Sequence, residues 1–203
     1  MKVIRIIACL AVVAIGTMAT ASAHATIISY DAALSGPSES PPNASPGSGF
    51  ATADVDTTAN TMHLHIVFSG LSGTTTASHI HSATTVPFTG NAGVATTTPT
   101  FTGFPLGVTS GTYDNTLDLT LASSYNPAFV TANGGTTAGA EASLLAGMAA
   151  GEAYLNIHTS VVPGGEIRGF LIPVPEPSTA ILGVLGFIGL TALGWRRRHV
   201  RGA

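Results

Sequence analysis

The sequence predicts an all-β domain, a Greek-key-type β-sandwich with one inserted short helix, between a signal helix and a C-terminal transmembrane helix. Three observations carry this. Stretches rich in Thr, Val, Ile and Phe are separated by Gly, Pro, Asn and Ser, which is strand-and-turn composition. Several of those stretches alternate apolar and polar residues with a period of two. One segment alone repeats its apolar residues at helical spacing.

Met1 to Ile15 carries Lys2 and Arg5 ahead of an apolar run, and small residues follow up to Ala21-Ser22-Ala23. That order describes a secretory signal peptide cleaved after Ala23 by signal peptidase, so residues 1–23 are expected to leave. Cys9, the only cysteine, leaves with them, and the mature chain uses neither disulfides nor cysteinyl metal sites. His24 becomes the new N-terminus, but no second histidine lies nearby in the chain to complete a copper chelate with it.

Residues 24–173 suffice for one domain with a substantial core. Phe50 to Val55 reads as a strand. Met62, Leu64, Ile66 and Phe68 alternate with Thr61, His63, His65 and Val67, which puts His63 and His65 on the solvent face. Leu117, Leu119 and Leu121 alternate with Thr116, Asp118 and Thr120. Ala153, Leu155 and Ile157 alternate with Tyr154, Asn156 and His158, and Ile167 to Ile172 closes the set. Between Thr137 and Ala150, Ala140, Leu144, Leu145 and Met148 recur at helical spacing, and Gly151 is placed to stop the helix. Pro41-Pro42, Pro46-Gly47-Ser48-Gly49 and Asn133-Gly134-Gly135 are loops.

Within residues 24–173 the only Lys or Arg is Arg168, so the domain is clearly acidic although the whole chain has a net charge of -3. Nucleic acid and anionic lipid surfaces are poor partners on that ground, while cations and neutral sugars remain open. There is no cysteine nucleophile, no Gly-x-Ser-x-Gly elbow and no phosphate loop, so the expectation is a non-enzymatic module.

At the far end, residues 174–203 have three parts. Pro175-Glu176-Pro177 cannot continue a helix or a central strand. Thr179 to Trp195 is uncharged and at the short limit of a spanning helix. Arg196, Arg197, Arg198 and Arg201 follow, and basic flanks stay cytoplasmic, leaving the domain outside. This ending resembles the PEP-CTERM sorting signal. The resemblance implies a transient inner-membrane anchor processed by an exosortase, and delivery to the cell surface or extracellular medium of an exopolysaccharide-making Gram-negative bacterium. Matrix or polysaccharide is then the expected partner.

Three stretches in the domain stand out. They are Leu34 to Pro42, Ala77-Ser78-His79-Ile80-His81-Ser82-Ala83 soon after Phe68 to Gly73, and Ala150 to Thr159 with Pro163-Gly164-Gly165-Glu166-Ile167-Arg168-Gly169. In this order they resemble the CHRD (chordin-like) domain from about Ala33 to Leu171, with Ser82 where the family usually has glycine. The family implies an extracellular β-sandwich and no established reaction.

In a strand, His79 and His81 share one face, and His158 shares another with Asn156 and Tyr154. If these strands pair, the imidazoles meet. Two readings stand. One is a hydrogen-bonded polar cluster with Glu39, Glu166 and Arg168 and no cofactor. The other is a Zn²⁺ or Cu²⁺ site at His79, His81 and His158, serving redox or hydrolytic chemistry.

Overall fold

The computed structural model describes residues 27–175. The expected signal helix and Ala23 cleavage site, His24, the helix at 179–195, Glu176, Pro177, Arg196, Arg197 and Arg198 lie outside the described residues. Pro175 is the last residue inside them.

The chain forms strands β1 (Ile27–Ser35), β2 (Ser48–Asp56), β3 (Thr61–Ser69), β4 (Thr75–His81), β5 (Gly111–Asp118), β6 (Tyr154–Thr159), β7 (Ile167–Phe170) and β8 (Ile172–Pro173). Helices α1 (Pro127–Ala132) and α2 (Thr137–Ala149) lie between β5 and β6. The strands join in one antiparallel sheet of order β4-β6-β7-β1-β2-β3-β5, with β8 also on β1. The all-β expectation holds, and the strands of the expected sandwich form one continuous curled sheet. β1 is the reason, because it pairs β2 along its whole length and also meets β7 at Ser35 and β8 at Tyr30 and Asp31. The ladder therefore passes unbroken from one half to the other.

The sheet curls, and its edge strands β4 and β5 are both tied to the segment between them. Phe101 N–H donates to the Ser78 carbonyl on β4 over 3.1 Å, and Tyr113 Oη on β5 donates to the Thr102 carbonyl over 3.3 Å. The concave face carries the core. On β3, Met62, Leu64, Ile66 and Phe68 are buried while His63 and His65 are half-exposed, as the alternation requires. Ala51, Ala53 and Val55 line up beside them from β2, and Ile80, Leu155, Ile157 and Ile167 complete the other half. Each fully buried Leu or Ile contributes roughly 1.5–3 kcal/mol.

Helix α2 follows the expected span and packs Ala140, Leu144 and Met148 into this core. The Thr136 side chain caps its start by accepting from Gly139 N–H. Gly151 ends it with φ +70°, which lets Gly151 N–H reach the Met148 carbonyl and Glu152 N–H the Gly147 carbonyl. β5 ends at Asp118, short of the expected alternation through Leu121. Asp118 turns the chain by accepting from Thr120 N–H and Thr120 Oγ1.

Candidate functional site

β4, β6 and β7 present their second face away from the core. In register, His79 lies opposite Asn156 and Asn156 opposite Arg168, while His81 lies opposite Tyr154 and Tyr154 opposite Phe170. Residues alternate along β6, so Leu155 and Ile157 enter the core while Tyr154, Asn156 and His158 take the site face. Ile80 goes to the core for the same reason, between two site-facing histidines. Loops cover this face, so His79 and His81 are only 7% and 8% exposed.

The three imidazoles meet. Ring centroids lie 5.7 Å apart for His79 and His81, 5.0 Å for His79 and His158, and 5.8 Å for His81 and His158. One nitrogen from each ring lies within 4.8 Å of the others, and no other such group of His, Cys, Asp or Glu occurs among the described residues.

Each ring is also oriented. His79 Nε2 donates to the Pro99 carbonyl over 2.6 Å, His81 Nδ1 to the Ala92 carbonyl over 2.9 Å, and His158 Nδ1 to the Pro163 carbonyl over 2.9 Å. A carbonyl oxygen only accepts, so each of those nitrogens carries the ring hydrogen. The remaining nitrogens, His79 Nδ1, His81 Nε2 and His158 Nε2, are buried without a partner. They hold lone pairs. Burial first, and for His79 and His81 the neighbouring imidazoles as well, lower the pKa of all three rings, that of His81 to about 4. At neutral pH the cluster is thus three neutral imidazoles, each with a bonded second nitrogen, which is the arrangement that metal-ligating histidines adopt. An ion held by all three rings would need its ligand nitrogens roughly 3.3 Å apart, within the 4.8 Å that bounds their present separation.

The other expected site residues divide. Arg168 and Glu39 come together, Nε to Oε2 at 3.8 Å, beside the histidines but not bonded to them. Arg168 instead donates to the carbonyls of Ser38 and Gly90 and to Asn91 Oδ1, and its guanidinium lies 4.6 Å over the Tyr154 ring. Tyr154 stacks on His81 at 4.8 Å. Burial raises the pKa of Glu39 to about 7 despite the nearby Arg168 charge.

Glu166 is elsewhere. Its carboxylate accepts from Ser45 Oγ, Ser72 N–H, Gly73 N–H and Thr159 Oγ1, and from no histidine. Thr159 belongs to the core-facing set of β6, so Glu166 pins loops on the far side from His158. The expected cluster of histidines with Glu166 and Arg168 therefore does not form as one network. His63 and His65 lie on the outer face of β3, both bonded to the exposed Asp114 at 2.9 and 3.1 Å.

Sequence reasoning did not assign the Pro99, Ala92 and Pro163 carbonyls, which come from loops with no readable pattern. It also left Asn156 out of the site, although its place between Tyr154 and His158 on β6 was the available signal.

No curated protein and no solved structure matches the chain. The family model described as CHRD domain matches residues 30–171, which takes in β1 from Tyr30, all of β2 through β7 and every site residue above. The PEP-CTERM protein-sorting motif matches residues 173–198. The chain belongs to the CHRD domain family and carries a PEP-CTERM protein-sorting motif, the mark of a protein exported to the cell surface and processed by an exosortase.

Proposed function

We propose that this extracellular domain binds one transition-metal ion, Zn²⁺ or Cu²⁺, through His79, His81 and His158, and that it serves as a metal-holding module rather than a catalyst. The observation that carries the reading is three neutral, converging imidazoles, two buried and that of His158 half-buried, each with one nitrogen fixed by a backbone carbonyl and the other buried without a partner. A purely structural cluster supports it less well, because a hydrogen-bonded cluster pairs its buried nitrogens, and a stranded one costs about 1–3 kcal/mol. Three nitrogen ligands with a vacant position suit either ion.

Metal bound to the folded state alone adds to folding free energy. The melting temperature of the purified protein is expected to fall in chelator and recover with Zn²⁺ or Cu²⁺. The His79→Ala, His81→Ala double variant should show neither response. A wild-type melting temperature that ignores chelator and added metal contradicts the proposal.

Binding of exopolysaccharide matrix is a second reading, supported by the sorting motif. The specific observation for it is the outer sheet face, where Phe50 and Val67 are register partners, 47% and 45% exposed, near Asp114 and the outer histidines. Cosedimentation of the domain with purified polysaccharide tests it.

A further inference from the structure

Among the described residues, six buried side-chain atoms lack a hydrogen-bond partner, and five belong to one place. Three are the histidine nitrogens. The other two are oxygens, Asn156 Oδ1 and Glu39 Oε1. Asn156 is 3% exposed and lies directly opposite His79 in the β4–β6 register, two residues from His158 on the same strand face. Directly opposed residues in such a ladder have Cβ atoms about 4.5–5.5 Å apart, which puts the Asn156 amide beside the imidazoles. On its other side the amide meets the Glu39 carboxyl, whose pKa it influences. Gly165, at φ +130°, leaves room for this meeting, since a Cβ there would collide with both Asn156 and Glu39 Oε1.

The amide nitrogen of Asn156 is taken up by the Glu39 carboxyl, which leaves its Oδ1 and the three histidine nitrogens as acceptors without a donor. A metal held by three imidazoles keeps at least one further position, and water in that position is a strong donor. We infer that Asn156 accepts a hydrogen bond from a water in the remaining coordination position, with Glu39 fixing the amide, so that the centre takes neutral hydrogen-bond-donating oxygen ligands in preference to bare anions. The inference rests on the metal reading above. An anion without hydrogens leaves Asn156 Oδ1 stranded and sets negative charge toward Glu39. Arg168 does not reverse this preference. Its guanidinium is taken up by three oxygens and lies across the Tyr154 ring, with His81 stacked on that ring from the β4 side.

The test is azide binding to the Cu²⁺-loaded protein, followed by its charge-transfer absorption, in the wild type, Asn156→Leu and Glu39→Gln. All three are expected to take up one copper. Asn156→Leu should bind azide at least tenfold more tightly, and Glu39→Gln, which keeps its shape, should shift the affinity in the same direction. Equal azide affinity in the wild type and both variants overturns the inference and leaves the metal centre standing. Failure of the wild type to take up copper removes the centre, and the inference with it.

Discussion

Glu166→Gln isolates the carboxylate that ties β7 to the loops after β1 and β3. The two oxygens accept four hydrogen bonds, two from the backbone N–H groups of Ser72 and Gly73 and two from the hydroxyls of Ser45 and Thr159. A glutamine replaces one oxygen by a donor. The hydroxyls can rotate to accept from it, but a backbone N–H cannot, so one N–H is stranded at about 1–3 kcal/mol. The surviving bonds also lose their charge assistance, which brings the expected loss to roughly 2–5 kcal/mol. Burial pushes the Glu166 pKa up, the four hydrogen bonds pull it down, and the outcome lies below the ordinary 4.5. A depressed carboxylate pKa means stability that is present above 4.5 and is lost as pH falls through the lower folded value. Urea unfolding of wild type and variant should therefore differ most at neutral pH and converge in acid. The shifted groups His79, His81, His158 and Glu39 are common to both proteins and cancel in the difference. A gap below about 1 kcal/mol at pH 7, or one that stays constant into acid, refutes this account of Glu166.

Gly151→Ala forces a side chain onto a φ of +70° and against the Phe88 ring, so a loss of about 1–3 kcal/mol is expected in the same unfolding assay, and an unchanged midpoint contradicts it. Replacing Glu176 or the Arg196-Arg197-Arg198 cluster should leave unprocessed precursor at the inner membrane, measured by the mass and extracellular yield of the product. Unchanged mass and yield contradict the role assigned to the tail.

The parts of the fold written in local periodicity were legible. The alternation of Met62 to Phe68 and the helical spacing of Ala140 to Met148 each specify one buried face, and both elements appear where that spacing puts them. β1 was harder to read because its buried residues, Tyr30, Ala32 and Leu34, include a small alanine, and the exposed Ile27, Ile28 and Ala33 blur their alternation with Ser29, Asp31 and Ser35. The continuity of the sheet depends on β1 accepting partners on both edges, a long-range choice with no local signature. Helix α1 has six residues and none buried, so it offers no apolar stripe to detect.

The site divides along the same line. His-x-His on β4 and His158 beside Asn156 on β6 share faces by the two-residue repeat of a strand, and pairing of β4 with β6 was the one assumption needed to bring them together. Glu166 defeated the same arithmetic. It precedes β7, after Gly165 at φ +130°, and its partners are Thr159 on the core side of β6 and Ser45, Ser72 and Gly73 in loops. Which nitrogen of each ring remains free was beyond the sequence, since it is decided by carbonyls of Ala92, Pro99 and Pro163 brought in by loop closure.

The central claim is that His79, His81 and His158 hold a metal ion, and anomalous diffraction at the zinc edge, from crystals of the protein grown with Zn²⁺, tests it most directly. The account predicts one strong peak about 2.0–2.1 Å from His79 Nδ1, His81 Nε2 and His158 Nε2, with the three carbonyl hydrogen bonds retained. A map in which the three rings are ordered and unchanged with no peak between them, or with zinc bound only at surface residues such as His63 and His65, would contradict it.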